Sequence, residues 1–232
     1  MISEVLYEHD DFLVIDKPAG IGMHQEAEQP GIVTLLSQQL GGQPLWPVHR
    51  LDKVTSGALL LAKNAEAAAL LSGQFAERQV EKFYLALSDK KPNKKQGAVI
   101  GDMQKARRGQ WKLLPSKLSP AISQFFSSGL GNGLRLFIIK PRTGKTHQIR
   151  VMLKSLGSAI LGDSLYAGTP SDRTYLHAFA LQFEYQGQQH QIVSVPGYGQ
   201  YFTEARCQQA LQDLLSPWQL PWPHLNLKRT AL

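Results

Sequence analysis

Hydrophobic and polar positions change period several times along this chain, and each change marks an element. Residues 4–9 and 11–16 read as two strands joined by an acidic turn. Ala58-Leu59-Leu60-Leu61-Ala62 is a continuous apolar run bounded by turn residues, the pattern of a buried strand. Residues 32–40 and 65–79 carry helical spacing, and Asn64 stands where it can cap the second helix. Alternation returns at 80–87, with Phe83, Leu85 and Leu87 on one face and Val80, Lys82 and Tyr84 on the other. Residues 134–139, 175–185 and 190–195 also read as strands, the last two joined at Gln186-Gly187-Gln188-Gln189. Ile149, Met152, Leu153 and Leu156 form a helical stripe that Gly157 can end, and residues 204–215 form a further helix. There is no internal repeat, and strands and helices do not alternate as in a doubly wound sheet. An α+β fold around a largely antiparallel sheet is predicted.

With 232 residues and 43% hydrophobic positions, the chain can bury a sizeable core. The expected organisation is one catalytic domain over 1–216 and an irregular tail over 217–232, where Pro, Trp and charge lack periodicity. Acidic residues at 4, 8, 10, 11 and 16 are the wrong charge for a signal peptide. No apolar stretch approaches the ~18 residues of a membrane span. The single cysteine, Cys207, excludes an internal disulfide and a cysteine metal cluster, and its helical spacing with Ala210, Leu211 and Leu214 points to a packed thiol. A cytoplasmic monomer without an obligate protein partner is expected.

Charge is uneven. Between Lys90 and Lys117 nine Lys or Arg face one acid, Asp102, so this stretch outweighs the net +7 of the whole chain. Pro92, Gly97, Gly101 and Gly109 argue for loops or short strands here rather than a basic helix. Clustered cations of this kind, Lys105, Arg107 and Arg108 among them, form an electrostatic footprint for phosphates. They position a nucleic acid without reading its bases.

Two polar segments carry the candidate chemistry. In His49-Arg50-Leu51-Asp52-Lys53-Val54-Thr55-Ser56-Gly57 an Arg and a carboxylate lie two positions apart, just before the buried strand. A rigid scaffold can hold one acid in place there. Thr143-Gly144-Lys145-Thr146 resembles the end of a phosphate-binding P-loop, but the required upstream Gly is Ile139, so a nucleotide site is excluded. On the helix that follows, His147, Arg150 and Lys154 lie off the apolar stripe. The sharper expectation is that Arg150 turns inward to pair with a carboxylate.

Together these segments resemble the RluA-type pseudouridine synthases. Phe12 to Gly20 followed by His24 is similar to the family's first motif, His49 to Gly57 to the motif with its catalytic Asp, and Lys82-Phe83-Tyr84 to its Lys-x-Tyr motif. Thr143 to Arg150 resembles the third motif, and Leu161-Gly162-Asp163 through Tyr166 and Leu176-His177-Ala178 resemble later landmarks. The resemblance covers roughly residues 5–195. It departs at Lys145, where most relatives carry Arg: the charge is kept and the bidentate fork is lost.

The resemblance implies a long bent mixed sheet with a central catalytic cleft, and isomerisation of uridine to pseudouridine in structured RNA, tRNA or rRNA. That reaction needs no redox cofactor, ATP or metal, so no cofactor is expected. The implied catalytic residues are Asp52, as nucleophile or as base at the sugar, with Arg150 and Tyr84. Removing a carboxylate from water disfavours its charged form, and a charge-assisted hydrogen bond from Arg150 would oppose this. Tyr84 could stack on the flipped uracil or take part in proton transfer. Arg50 could fill the space the base leaves or hold its phosphate, with Lys82, Lys145 and His147 as further substrate contacts. His49 reads as a turn-fixing residue, Lys17 and Pro18 as buttresses, and Asp163 as a turn residue. Because the first motif starts at Phe12, no separate N-terminal RNA-binding module is expected.

Two other classes make different demands. A non-catalytic RNA-binding or chaperone protein on the same fold would not need a buried acid. A metal-dependent hydrolase using His49, Asp52 and His147 would need a ligand spacing that these residues lack.

Overall fold

The structure is a computed structural model, and it describes residues 2–26 and 28–225. Eleven strands form one sheet: β1 (Glu4–Glu8), β2 (Phe12–Lys17), β3 (Trp46–Pro47), β4 (Ser56–Ala62), β5 (Glu81–Ser88), β6 (Gln96–Lys105), β7 (Trp111–Leu114), β8 (Ala121–Gly131), β9 (Leu134–Pro141), β10 (Leu176–Tyr185) and β11 (Gln188–Val193). Four helices flank it: α1 (Ile32–Gln39), α2 (Ala65–Ala76), α3 (Gln148–Ser155) and α4 (Ala205–Gln212). The strand order is β1-β2-β4-β10-β5-β9-β8-β6-β7, with β11 on β10 and β3 on β4. Every pairing is antiparallel except β4 with β10. The sheet is therefore mixed and largely antiparallel, as expected.

Both faces are covered on the β2–β4 side, which is why residues 58–62 of β4 read as a continuous apolar run. Phe12, Val14, Leu60 and Ala62 pack with Ala67 and Leu71 of α2 on one face. On the other, Leu13, Ile15, Leu59 and Leu61 pack with Ile32 and Leu36 of α1. The third core cluster joins Phe83, Leu85 and Leu87 of β5 to the α3 stripe of Ile149, Met152, Leu153 and Leu156 and to Cys207 and Leu211 of α4. Burial pushes the Cys207 thiol up to about 11, as befits a packed rather than a reactive group. Asn64 caps α2, accepting from the Ala67 amide at 2.8 Å.

The parallel contact is the seam of the sheet. β4 and β10 pair only through His177–Ser56 and Ala178–Gly57. Gly57, which closes the sequence motif, lies inside β4 with φ +107, and a Cβ there would sit 2.2 Å from the Ala178 carbonyl oxygen. Only glycine lets the two backbones approach so closely. Across β10, Ala178 is in register with Tyr84 of β5. The loop before β4 and the start of β5 thus meet at one place.

Some elements differ from expectation. The 90–117 stretch contains the ten-residue strand β6 and a hairpin to β7, not only loops and short strands. β8 was not anticipated. From Pro217 the chain makes one 3-10 turn to Gln219, and Trp218 and Trp222 lie against Phe83. The tail over 226–232 falls outside the described residues.

Candidate active site

A cleft of about 390 Å³ opens at the seam, and Arg50, Asp52, Lys82, Tyr84, Lys145, His147 and Arg150 all line it. The turn carrying Asp52 is fixed from several directions. Its carbonyl accepts from the Thr55 amide at 2.9 Å, and Lys53 O accepts from the Gly20 amide at 2.7 Å. Behind it, the fully buried Lys17 donates to the carbonyls of Pro18 at 2.8 Å and Thr55 at 2.9 Å, so it buttresses the turn. Burial brings the Lys17 ammonium down to about 8, against an opposing pull from Asp52. His49 stacks on Phe75 with centroids 4.3 Å apart, and its Nε2 accepts from the Leu60 amide at 3.0 Å. Burial, and then Lys82, lower its pKa to about 3. It is a neutral turn-fixing group.

Arg150 does turn inward, but its strong partner is not the one expected. It holds Asp163 bidentately, Nε to Oδ2 at 2.7 Å and Nη2 to Oδ1 at 2.8 Å. Only Nη1 faces Asp52, 3.6 Å from Oδ2. Asp163 is therefore more than a turn residue: it is 1% exposed and aims the guanidinium. Helical periodicity could place Arg150 but could not choose between two distant carboxylates. The one sequence signal was the Gly162-Asp163 landmark near Tyr166. Gly162 has φ +78, and a Cβ on it would strike the Arg173 carbonyl, so this turn too depends on glycine.

His147 precedes α3 rather than lying on it, with left-handed backbone (φ 57). α3 has no broadly solvated basic side, since residues 148–153 are all buried. The Tyr166 hydroxyl, which sequence reasoning left unassigned, joins three elements. It accepts from the Trp111 amide of β7 at 3.0 Å and bonds His147 Nδ1 at 2.9 Å. The tautomer of His147 sets which of the two donates in that bond, and the other ring nitrogen, Nε2, faces Asp52 Oδ2 at 4.0 Å. Burial lowers the His147 pKa, opposed by Asp52. The Tyr166 ring also lies 5.0 Å from the Arg150 guanidinium.

Tyr84 sits in the cleft with its pKa raised, first by burial and then by Asp52, so its hydroxyl keeps its proton. Lys145 donates to the Ser119 carbonyl at 2.5 Å. Lys105, Arg107 and Arg108 stand exposed around the β6–β7 turn, outside the cleft. Gln110 of that turn donates to Leu165 O at 2.7 Å, tying the hairpin to the Tyr166 segment. Among the described residues no group of His, Cys, Asp and Glu is arranged to hold a metal ion. Nor is any helix long and apolar enough to cross a membrane.

A carboxylate facing a guanidinium at the floor of an open cleft, beside a cationic hairpin, is an arrangement suited to chemistry on a polyanion. Residues 11–155 match the family described as RNA pseudouridylate synthase. The chain is 50% identical over 218 residues to an uncharacterized RNA pseudouridine synthase of Haemophilus influenzae, covering 93% of this chain and 97% of that one. It is 36% identical to ribosomal large subunit pseudouridine synthase C of Rickettsia bellii over 75% of this chain, and spans 61% of that longer protein. The solved structure of human RNA pseudouridylate synthase domain containing 4 superposes with a TM-score of 0.69 at 25% identity, over 90% of this chain and 92% of that one. The chain belongs to the RNA pseudouridylate synthase family, and isomerisation of uridine within RNA is the reaction that membership assigns to it.

Proposed function

We propose that Asp52 is the catalytic carboxylate of this isomerase, acting on a uridine flipped out of structured RNA into the cleft. The observation that carries this is the position of Asp52 opposite Arg150 Nη1 at 3.6 Å, with Asp163 fixing the guanidinium from behind. A guanidinium held in this way presents a fixed positive charge to the carboxylate that is to act. As a nucleophile it would attack C1′, and as a base it would remove the C2′ proton. Either route breaks the C1′–N1 bond. The uracil then turns and C5 joins C1′, displacing the Asp52 carboxylate on the first route or, on the second, with the proton returned to C2′; C5 loses its proton and N1 gains one.

Tyr84 presents a neutral phenol. Its raised pKa makes it a poor proton donor and favours the stacking role against the uracil. Exposed Arg50 at the cleft mouth would fill the space vacated by the base or hold the flipped nucleotide's phosphate, and Lys82, Lys145 and His147 line the cleft that would receive it. Lys105, Arg107 and Arg108 would hold the RNA backbone on the hairpin. Residues 1–216 would serve as a single catalytic domain, a cytoplasmic monomer that needs no protein partner and no cofactor.

A non-catalytic RNA-binding role would leave the Asp163–Arg150–Asp52 arrangement without purpose. The test is tritium release from RNA carrying 5-tritiated uridine, with EDTA present, followed by carbodiimide mapping of pseudouridines in RNA from a strain lacking the gene. Release that chelation does not change, with one or a few sites missing in the deletion strain, is expected. No release from either tRNA or rRNA would contradict the proposal.

A further inference from the structure

The cleft continues past Tyr84 toward α2, where Ser72, Phe75, Arg78 and Lys82 line it. Among the described residues, no acid pairs with either of two cations in this extension, Arg78 and Lys82. Lys82 is 7% exposed, and among the described residues its ammonium has no carboxylate or hydrogen-bond partner, only the Phe75 ring 5.6 Å away. The contrast with neighbouring cations is sharp. Lys140 pairs with Glu81 at 2.5 Å, and Arg142 reaches the same carboxylate at 3.4 Å. Among the described residues no buried side-chain nitrogen lacks a partner, so the unpaired Lys82 ammonium opens to the cleft from an otherwise buried stem, where a group of opposite charge can meet it.

Arg78 is unusual for a second reason. It follows Glu77, the C-terminal cap of α2, in left-handed backbone with φ 63. Glycine is the residue that adopts this conformation without a Cβ clash at the end of a helix. Keeping an arginine there trades backbone comfort for a guanidinium at the cleft wall. Strand geometry completes the placement. Lys82 and Tyr84 are two positions apart on the same face of β5, roughly 7 Å at ~3.3 Å per residue. The ammonium is thus offset along β5 from the proposed base-stacking position, within the same cleft.

We propose that Lys82 and Arg78 form a phosphate subsite that holds the RNA backbone beside the nucleotide being isomerised. The proposal rests on the function proposed above and adds to it the class of group bound and a residue, Arg78, outside the family motifs. Burial, then Arg142 and Arg78, lower the Lys82 pKa, a penalty that a bound phosphate relieves.

The experiment is fluorescence anisotropy of a labelled oligouridine dodecamer across a KCl series, with the full chain and its variants. Lys82→Met and Arg78→Gly should each weaken binding and make the log–log salt slope shallower by about 0.7, the value for one phosphate contact on a single strand. Lys82→Arg should keep the slope. Arg78→Gly should melt at or above the wild-type temperature, because it relieves the left-handed backbone, so weaker binding there cannot be blamed on unfolding. Unchanged slopes in both Lys82→Met and Arg78→Gly would overturn the subsite. If the wild type still releases tritium from RNA in that case, only the subsite falls. If the wild type neither binds RNA nor releases tritium, the function falls and the subsite with it.

Discussion

The floor of the cleft and the β6–β7 hairpin are both rich in charge, yet they hold it in opposite ways. On the floor, Arg150 spends two hydrogen bonds on Asp163 and turns one nitrogen to Asp52. On the hairpin, Lys105, Arg107 and Arg108 are exposed, and among the described residues no carboxylate pairs with them. Chemistry at one atom needs side chains locked by their partners. Capture of a polyanion needs cations left free to exchange counterions for phosphates. Tyr166 joins the two regions, bonded to the Trp111 amide on one side and to His147 on the other.

The largest effect should come from breaking the floor. Arg150→Met leaves Asp163 charged and buried without a partner, a loss of about 3–5 kcal/mol in urea unfolding. Tritium release should collapse with it. Asp163→Asn, which touches no substrate, should lower the single-turnover rate at least about tenfold, because the guanidinium loses its aim. A full-rate Asp163→Asn enzyme would show that Asp163 is a turn residue after all.

Acid should weaken the same region next. His177 is fully buried beneath the seam. Its Nδ1 bonds Ser56 Oγ at 2.7 Å and its Nε2 donates to the Ser194 carbonyl at 2.9 Å, so both ring nitrogens are satisfied in the neutral form. Burial brings its pKa to about 3 against 6.5 in the unfolded chain. Between those values the unfolded state binds the extra proton. Stability is therefore complete above pH 6.5 and is lost progressively as the pH falls toward 3. At pH 5 the loss from His177 should be about 2 kcal/mol relative to pH 7, and His49, with the same shift, adds in the same direction. A urea midpoint that does not move between pH 7 and pH 5 would contradict this.

Tyr166→Phe tests the joint between the regions. It keeps the ring beside Arg150 and removes the hydroxyl, costing about 1 kcal/mol of stability. The pH dependence of the rate should also move, since His147 loses its Nδ1 hydrogen-bond partner beside Asp52. An unchanged pH profile would mean that the hairpin and the floor are independent. The smallest effect on folding belongs to the hairpin. Changing Lys105, Arg107 and Arg108 together to Gln should leave the melting temperature where it was. The salt slope of RNA binding should fall by about 0.7–0.9 for each lost contact. If it does not, the RNA docks elsewhere, with Lys145 and Lys154 the next candidates.

Much of this was legible in the sequence where burial imposes a period. Residues 58–62 read as an apolar run because helices cover both faces of β4, residues 11–16 read as a strand, and α3 showed its stripe at Ile149, Met152, Leu153 and Leu156. The Gln186-Gly187 turn was equally plain, both residues having positive φ as a tight hairpin needs. β8 was hidden because its Ser and Gly positions look like a loop; it exists because β6 and β9 pair with it on both sides. β6 was half-hidden by Gly101, where a Cβ would sit 2.3 Å from the Leu114 carbonyl, so glycine here permits close strand approach rather than breaking the strand. In the candidate site, Asp52, Tyr84 and Arg150 were legible as a set through motif order. The Asp163 partnership and the Tyr166 junction were not, since both depend on how distant segments meet.

The most direct measurement is Asp52→Asn, assayed side by side for single-turnover tritium release and for RNA affinity. The amide keeps the shape of the carboxylate and removes its charge and nucleophilicity. Release should fall to the no-enzyme background while the Kd for RNA stays within about twofold of wild type. Appreciable turnover by this variant would contradict the assignment of the chemistry to Asp52.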